Sequence, residues 1–159
     1  MNPPSTRFVD EYLAYLLAQA SHRISADFHL QVNAAGLSIT EWRVLASLMG
    51  SPGETIGSLA HLAITKQPTL SKVVQRMESD GWVERVGVRA DRRQTQVRIT
   101  SAGRRLVSGL CDQALAHQRE VLASFGAERA ESLIEMLRTL MHWHESTTDR
   151  HDAVAANVD

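Results

Sequence analysis

Residues 65–100 read TKQPTLSKVVQRMESDGWVERVGVRADRRQTQVRIT, and this stretch decides the fold. Leu70, Val73, Val74 and Met77 fall at i, i+3, i+4 and i+7, the spacing that gathers apolar side chains into one stripe of a helix. The remaining face carries Lys66, Gln67, Thr69, Ser71, Lys72, Gln75 and Arg76, all polar or cationic. Such a face suits the major groove of a DNA duplex, where base edges meet side-chain donors and acceptors. Residues 82–88 then predict a strand, 89–94 an arginine-rich turn and 95–100 the returning strand. A polar-faced helix followed by a basic hairpin predicts a winged helix-turn-helix.

Charge supports this placement. The 159-residue chain has a net charge of -1, which conceals an uneven distribution. Residues 66–100 hold eight basic and four acidic side chains, a net of +4, so the rest of the chain carries -5. Positive charge concentrated on one module points to a polyanionic partner, although a merely solvated patch would look the same by charge alone.

Working toward the N-terminus, residues 37–64 predict the remainder of a helix-turn-helix. Ser38-Ile39-Thr40-Glu41 has the spacing of a capping box, with Leu37 and Trp42 at the flanking staple positions. It predicts a second helix over 39–49, followed by a loop at Gly50-Ser51-Pro52-Gly53. Thr55 caps a short third helix whose inward side is Ile56, Leu59, Ala60 and Ala63. A brief turn at Ile64-Thr65 leads to the fourth helix, where Pro68 is tolerated in the first turn.

The flanks predict long helices. A first helix over 7–32 has a stripe of Leu13, Leu17, Ala20, Ile24 and Phe28, widened by Phe8 and Leu16. A fifth runs from a Thr100-Ser101 cap to about 124, with Leu106, Val107, Leu110 and Leu115 inward and Val121 and Leu122 extending the pattern. After Gly126, a sixth runs to about 145 on Leu133, Ile134, Leu137, Leu140 and Met141. Residues 146–159 lack a pattern and read as a flexible tail. Together the stripes exceed what a small module can cover, so the helices of 7–33 and 101–145 predict a dimerisation region around a DNA-binding domain over 37–100. The expected fold class is mainly α with a small β-hairpin wing.

In this order and spacing the motifs resemble the MarR family of bacterial transcription regulators. The resemblance spans about residues 10–145. It rests on Leu37-Ser38-Ile39-Thr40-Glu41-Trp42-Arg43-Val44-Leu45, Ile56-Gly57-Ser58-Leu59-Ala60 and Thr69-Leu70-Ser71-Lys72-Val73-Val74. It continues through Met77-Glu78-Ser79-Asp80-Gly81-Trp82-Val83-Glu84-Arg85, Asp91-Arg92-Arg93 and Ile99-Thr100-Ser101-Ala102-Gly103. The resemblance implies a homodimer that sets two winged modules on a palindromic operator in double-stranded DNA. It places Ser71 and Lys72 at DNA, with Lys66, Gln67, Thr69, Arg76 and Arg92 beside them, Arg93 in the minor groove and Asp91 holding that arginine. A hairpin arginine suits a narrow groove of enhanced negative potential. Ser58, where an acidic residue is frequent, and Pro68 depart from the commonest pattern.

Tyr15, His22 and His29 repeat every seventh residue on one side of the first helix, with Ser25 nearby. They are either a solvated face or the wall of a pocket. The resemblance implies a small aromatic acid, or its thioester, as an effector bound between the dimerisation helices and the DNA module. Trp42 is either the opposite wall or part of the core.

The remaining features argue against other classes. The single cysteine, Cys111, excludes an intramolecular disulfide and fits a reducing cytoplasm. It lies beside apolar positions, which favours a structural thiol over a redox switch. His142 and His144 sit about 200° apart on a helix, a poor arrangement for zinc. No metal or cofactor is expected. No nucleophile elbow, phosphate loop or carboxylate pair is present, so no catalytic site is expected. No stretch has the ~20 apolar residues of a membrane span, and MNPPSTRF lacks signal-peptide layout. The expected function is a ligand-released repressor in the cytoplasm. The alternatives are a winged-helix module that binds protein, or a metal- or redox-responsive regulator.

Overall fold

The computed structural model describes the backbone of residues 7–88 and 91–155 and the side chains of residues 7–87 and 95–143. In chain order the elements are α1 (Phe8–Glu11), α2 (Leu13–Ala34), α3 (Ile39–Leu48), β1 (Glu54–Thr55), α4 (Ile56–Leu62), α5 (Gln67–Ser79), β2 (Val83–Val88), β3 (Asp91–Ile99), α6 (Ser101–Ala123) and α7 (Ala127–Ala155). The mainly helical class with a β wing is as expected. The chain divides into two compact units, residues 1–115 and 116–159. The end of α2 and the first half of α6 pack in the same unit as the winged module.

One core holds the first unit. Leu70, Val74 and Met77 of α5 are fully buried with Val44, Leu45 and Leu48 of α3 and Leu59 of α4. Phe28 and Val32 of α2, Val83 and Val97 of the sheet, and Val107 and Leu110 of α6 complete this cluster. The expected stripe of α5 is thus its buried face, with Val73 half-buried at the margin.

Local signals fix the element ends. The Ser38 hydroxyl accepts the Glu41 amide at 3.2 Å, while the Glu41 carboxylate accepts the Ser38 amide at 2.8 Å. Both halves of the capping box are therefore made. Thr55 caps α4 by accepting the Ser58 amide at 3.1 Å. Gly81 ends α5 in the left-handed region at φ 75°. There the Trp82 amide donates to Met77 and the Gly81 amide to Glu78, which turns the chain sharply into β2. At the far side of the wing, Thr100 accepts the Gly103 amide at 3.1 Å and donates to the Gly81 carbonyl at 2.6 Å. A Cβ at Gly103 would overlap the Trp82 carbonyl oxygen, so glycine lets α6 lie against the base of the wing.

Four expectations are corrected. The first helix is broken: Tyr12 adopts extended backbone (φ -79°, ψ 109°) between α1 and α2. Helix α1 is a single turn with no buried residue, held by an Arg7–Asp10 ion pair at 2.8 Å and Phe8–Tyr12 stacking at 5.1 Å. Nothing packed against it enforces continuity. Second, residues 91–94 are strand, not turn. The ladder runs regularly from Val83↔Ile99 to Gly87↔Thr95, then shifts so that Val88 faces Asp91. Arg92-Arg93-Gln94 has no glycine, proline or asparagine to demand a tight turn, and charge alone had suggested one. Third, β1 was not foreseen; its two residues pair with Val97 and Gln96 of β3, giving the order β1-β3-β2. Fourth, α7 continues through Ala155, past the expected end near 145 and into the stretch read as a tail. Ser146–Ala155 contains no glycine or proline to stop propagation.

Glu41 ties two helices together. It is buried, 5% exposed, and its Oε1 accepts from Arg76 of α5 at 2.7 Å (Nη2) and 3.2 Å (Nε). Its Oε2 accepts the Ser38 amide and hydroxyl, each at 2.8 Å. Burial pushes this carboxyl upward, but the Ser38 bonds and the Arg76 guanidinium outweigh it and hold the acid below the ordinary range. A depressed folded value means that the stabilisation is complete above the ordinary glutamate value of about 4.3 and is lost as pH falls through the folded one. Glu41→Gln should cost about 1–3 kcal/mol at pH 7, near the lower end because Arg76 is largely solvated. Urea denaturation from pH 7 to pH 3 should show the gap between parent and variant closing below the ordinary value. A gap independent of pH would remove the ionised Glu41 from the fold's stability.

Candidate nucleic-acid interface

The face of α5 opposite the core is open. Lys66, Gln67, Thr69, Lys72 and Gln75 are exposed, and Ser71 is half-buried. Lys66 occupies the N-cap without a capping bond from its side chain. The helix therefore presents polar and cationic side chains, together with its N-terminal turn, to solvent. Lys66 and Lys72 add positive charge where a phosphate backbone would approach.

Two basic residues beside this face have internal partners. Arg76, expected at DNA, is engaged with Glu41 through both Nε and Nη2. Arg85 donates its amide to Glu78 at 3.0 Å, and its guanidinium lies 3.6 Å from the same carboxylate. These pairs fix α5 against α3 and against β2. Arg76 keeps 60% of its side chain exposed and stands with Lys66 and Lys72 among the described cations of this face. Asp91, Arg92 and Arg93 lie on β3 at the wing end; their backbone is strand and their side chains fall outside the described residues.

The expected effector line is distributed along α2. Tyr15 is 39% exposed on the outer part of the helix, and His22 is exposed two turns further on. Ser25 and His29 are half-buried where α2 approaches α3. Trp42 is half-buried against the core and meets Phe28 edge-on with ring centroids 5.2 Å apart, so it serves the core. His29 is held below the usual histidine range by burial, then by the positive charges of Arg43 and His22. The structure thus brings His22, His29 and Arg43 into one electrostatic neighbourhood. A neutral His29 beside a permanent guanidinium offers hydrogen bonds and one fixed positive charge, which suits a carboxylate. Arg43 was not singled out from sequence. Its signal was present: it is the lone cation in the helix ITEWRVLASL.

The other sequence features fall elsewhere. Cys111 is half-buried against the core, and burial followed by the Asp112 charge pushes its thiol up, away from a reactive thiolate. Among the described residues no three His, Cys, Asp or Glu side chains converge as metal ligands, and no helix is long and apolar enough to cross a membrane.

Apolar side chains also lie uncovered along the long helices. Leu13, Leu16, Leu17 and Ile24 of α2 are 36–58% exposed, and Leu115 of α6, expected inward, is 55% exposed. Met136, Met141 and Trp143 of α7 are each above 60% exposed. Phe28 and Val32 are the buried residues of α2; most of its predicted stripe faces outward in the single chain.

Comparison with known proteins agrees with this geometry. A family model described as MarR family matches residues 35–94, from the end of α2 into the wing. The chain is 30% identical over 125 residues to the homoprotocatechuate degradative operon repressor of Escherichia coli, covering 79% of this chain and 84% of that one. It is 31% identical to the transcriptional activatory protein BadR of Rhodopseudomonas palustris, over 71% of this chain and 67% of that one. The crystal structure of a MarR family transcriptional regulator from Silicibacter pomeroyi superposes with a TM-score of 0.74 at 37% identity, covering 86% of this chain and 99% of that one. A capped helix-turn-helix with an open polar face, a three-stranded wing and long flanking helices, together with these likenesses, establishes that the chain belongs to the MarR family of transcriptional regulators.

Proposed function

We propose that this chain is a homodimeric repressor that binds a palindromic operator in double-stranded DNA and leaves it when a small aromatic carboxylate, or its thioester, binds beside α2. The observation that carries DNA binding is the open face of α5, where Lys66, Gln67, Thr69 and Lys72 are exposed beside the half-buried Ser71, and Arg76 stays largely solvated while bonded to Glu41. In this reading Lys72 meets the major groove with Arg76 beside it, and Arg92 and Arg93 of the wing reach the flanking minor groove, with Asp91 orienting Arg93. Dimerisation is supported by the uncovered apolar side chains of α2 and α7. A repressor is favoured over an activator by the likeness to the homoprotocatechuate repressor, while the BadR likeness supports the opposite sign.

The DNA reading is tested with duplexes selected from a random pool by the parent protein. Arg93→Ala should weaken binding at least about tenfold while the melting temperature stays nearly unchanged. Lys72→Ala should cost about 1–3 kcal/mol and relax one base position if it reads a base, or weaken all sequences equally if it meets phosphate. Parent and Arg93→Ala proteins with equal affinity would take the wing out of the mechanism.

The effector reading rests on His22, His29 and Arg43 sharing one neighbourhood. Tyr15 and Ser25 line the approach on α2. Homoprotocatechuate is the natural first probe, since the repressor of its degradation is among the relatives. Coupling of about 1–3 kcal/mol suffices to shift recognition helices out of register with successive grooves. Titrating the protein–duplex complex with this acid should release DNA, and His22→Ala should need more acid while binding DNA normally without it. Equal release by both proteins would exclude His22 from the site.

A further inference from the structure

The turn between α4 and α5 holds an outlier. Ile64 has φ 55°, the one described residue other than glycine in the left-handed region. It sits where a glycine usually ends a helix. The Thr65 amide donates to Ala60 at 2.9 Å and the Ile64 amide to His61 at 3.0 Å, the paired bonds of a helix terminus that needs a left-handed residue. A β-branched side chain in that conformation crowds its own backbone. Ile64 is 76% exposed, so core packing does not compensate. This strained turn leads directly into Lys66, the N-cap of α5.

Something outside the turn must hold it. Arg43 reaches across from α3, and its Nη1 donates to the Ala63 carbonyl at 3.3 Å. Ala63 is the C-cap of α4 and is buried, so its carbonyl lies among the groups that a helix end leaves without an intrahelical partner. The same guanidinium bears on His29 of α2. One side chain thus bonds the turn and acts by its charge on His29 of α2.

We propose that Arg43 is a positioning residue for operator binding: its guanidinium braces the strained Ala63-Ile64 turn that aims α5, and a negative charge placed at His29 draws it away. This rests on the reading of α5 as the DNA-recognition helix. The brace explains how a change beside α2 reaches the DNA face without any movement of the core. The guanidinium has one Ala63 carbonyl to hold, and a carboxylate is the stronger acceptor.

The test uses the full chain and hydrogen exchange of the segment containing Ile64 and Thr65, with affinity for a duplex selected by the parent. Arg43→Gln should raise exchange of these two amides about tenfold and weaken duplex binding by a similar factor. Ile64→Gly relieves the strain, so in the Arg43→Gln background it should reduce both effects to about threefold or less. His29→Glu places a permanent carboxylate beside Arg43, and should raise turn exchange several-fold above the neutral comparison His29→Gln. That pair also carries the test if Arg43→Gln does not fold. Exchange in Arg43→Gln at the parent rate, equal exchange in the two His29 variants, or independent effects of Arg43→Gln and Ile64→Gly would each overturn the brace. If the parent selects no duplex, the DNA reading fails, while the exchange rates still decide whether Arg43 holds the turn.

Discussion

The buried carboxylate of Glu41 is the constraint on which the placement of α5 depends. An ionised group in that position is tolerable only when its oxygens are occupied. The structure meets this requirement from two directions. Ser38 supplies an amide and a hydroxyl from the start of α3, and Arg76 supplies two N–H groups from α5. The first pair fixes where α3 begins. The second fixes α5 against it, with Leu70, Val74 and Met77 locked into the core below. Polar and apolar restraints therefore act on opposite flanks of the same helix, and the remaining face is left for a partner.

The inside of the first unit is fully specified, whereas the outside of the long helices is not. Leu13, Leu16, Leu17 and Ile24 need apolar cover that the single chain does not supply, and so do Met136, Met141 and Trp143. Under the proposed function, symmetric pairing of two chains through such helices would bury them and bring two α5 faces to one duplex. In that arrangement DNA affinity would depend on the link between α2 and the winged module. Arg43 bonds the Ala63 carbonyl, and its charge bears on His29.

What was legible in the sequence was what depends on short separations. The capping box at Ser38–Glu41, the Thr55 cap and the α5 stripe follow from neighbours three or four residues apart, and all three form as expected. The features that escaped depend on distant partners or on the absence of packing. The Glu41–Arg76 bond spans 35 residues and ties α5 to α3. Strand β1 exists only because β3 offers an edge to Glu54 and Thr55. The break at Tyr12 follows no glycine or proline, and α7 outlasts its apolar pattern because nothing stops it. For the candidate site, the exposed positions of α5 were readable by periodicity. The role of Arg43 was not, since it depends on an acceptor 20 residues away in the next turn.

The central claim is that two copies of this chain act together on one duplex. Light scattering coupled to size exclusion, run on the protein alone and on its complex with a selected duplex, tests it most directly. The account predicts two chains in both samples, with the two half-sites about 34–36 Å apart along the DNA, one helical turn. A stable folded monomer at micromolar concentration that binds the duplex as a single chain would contradict it.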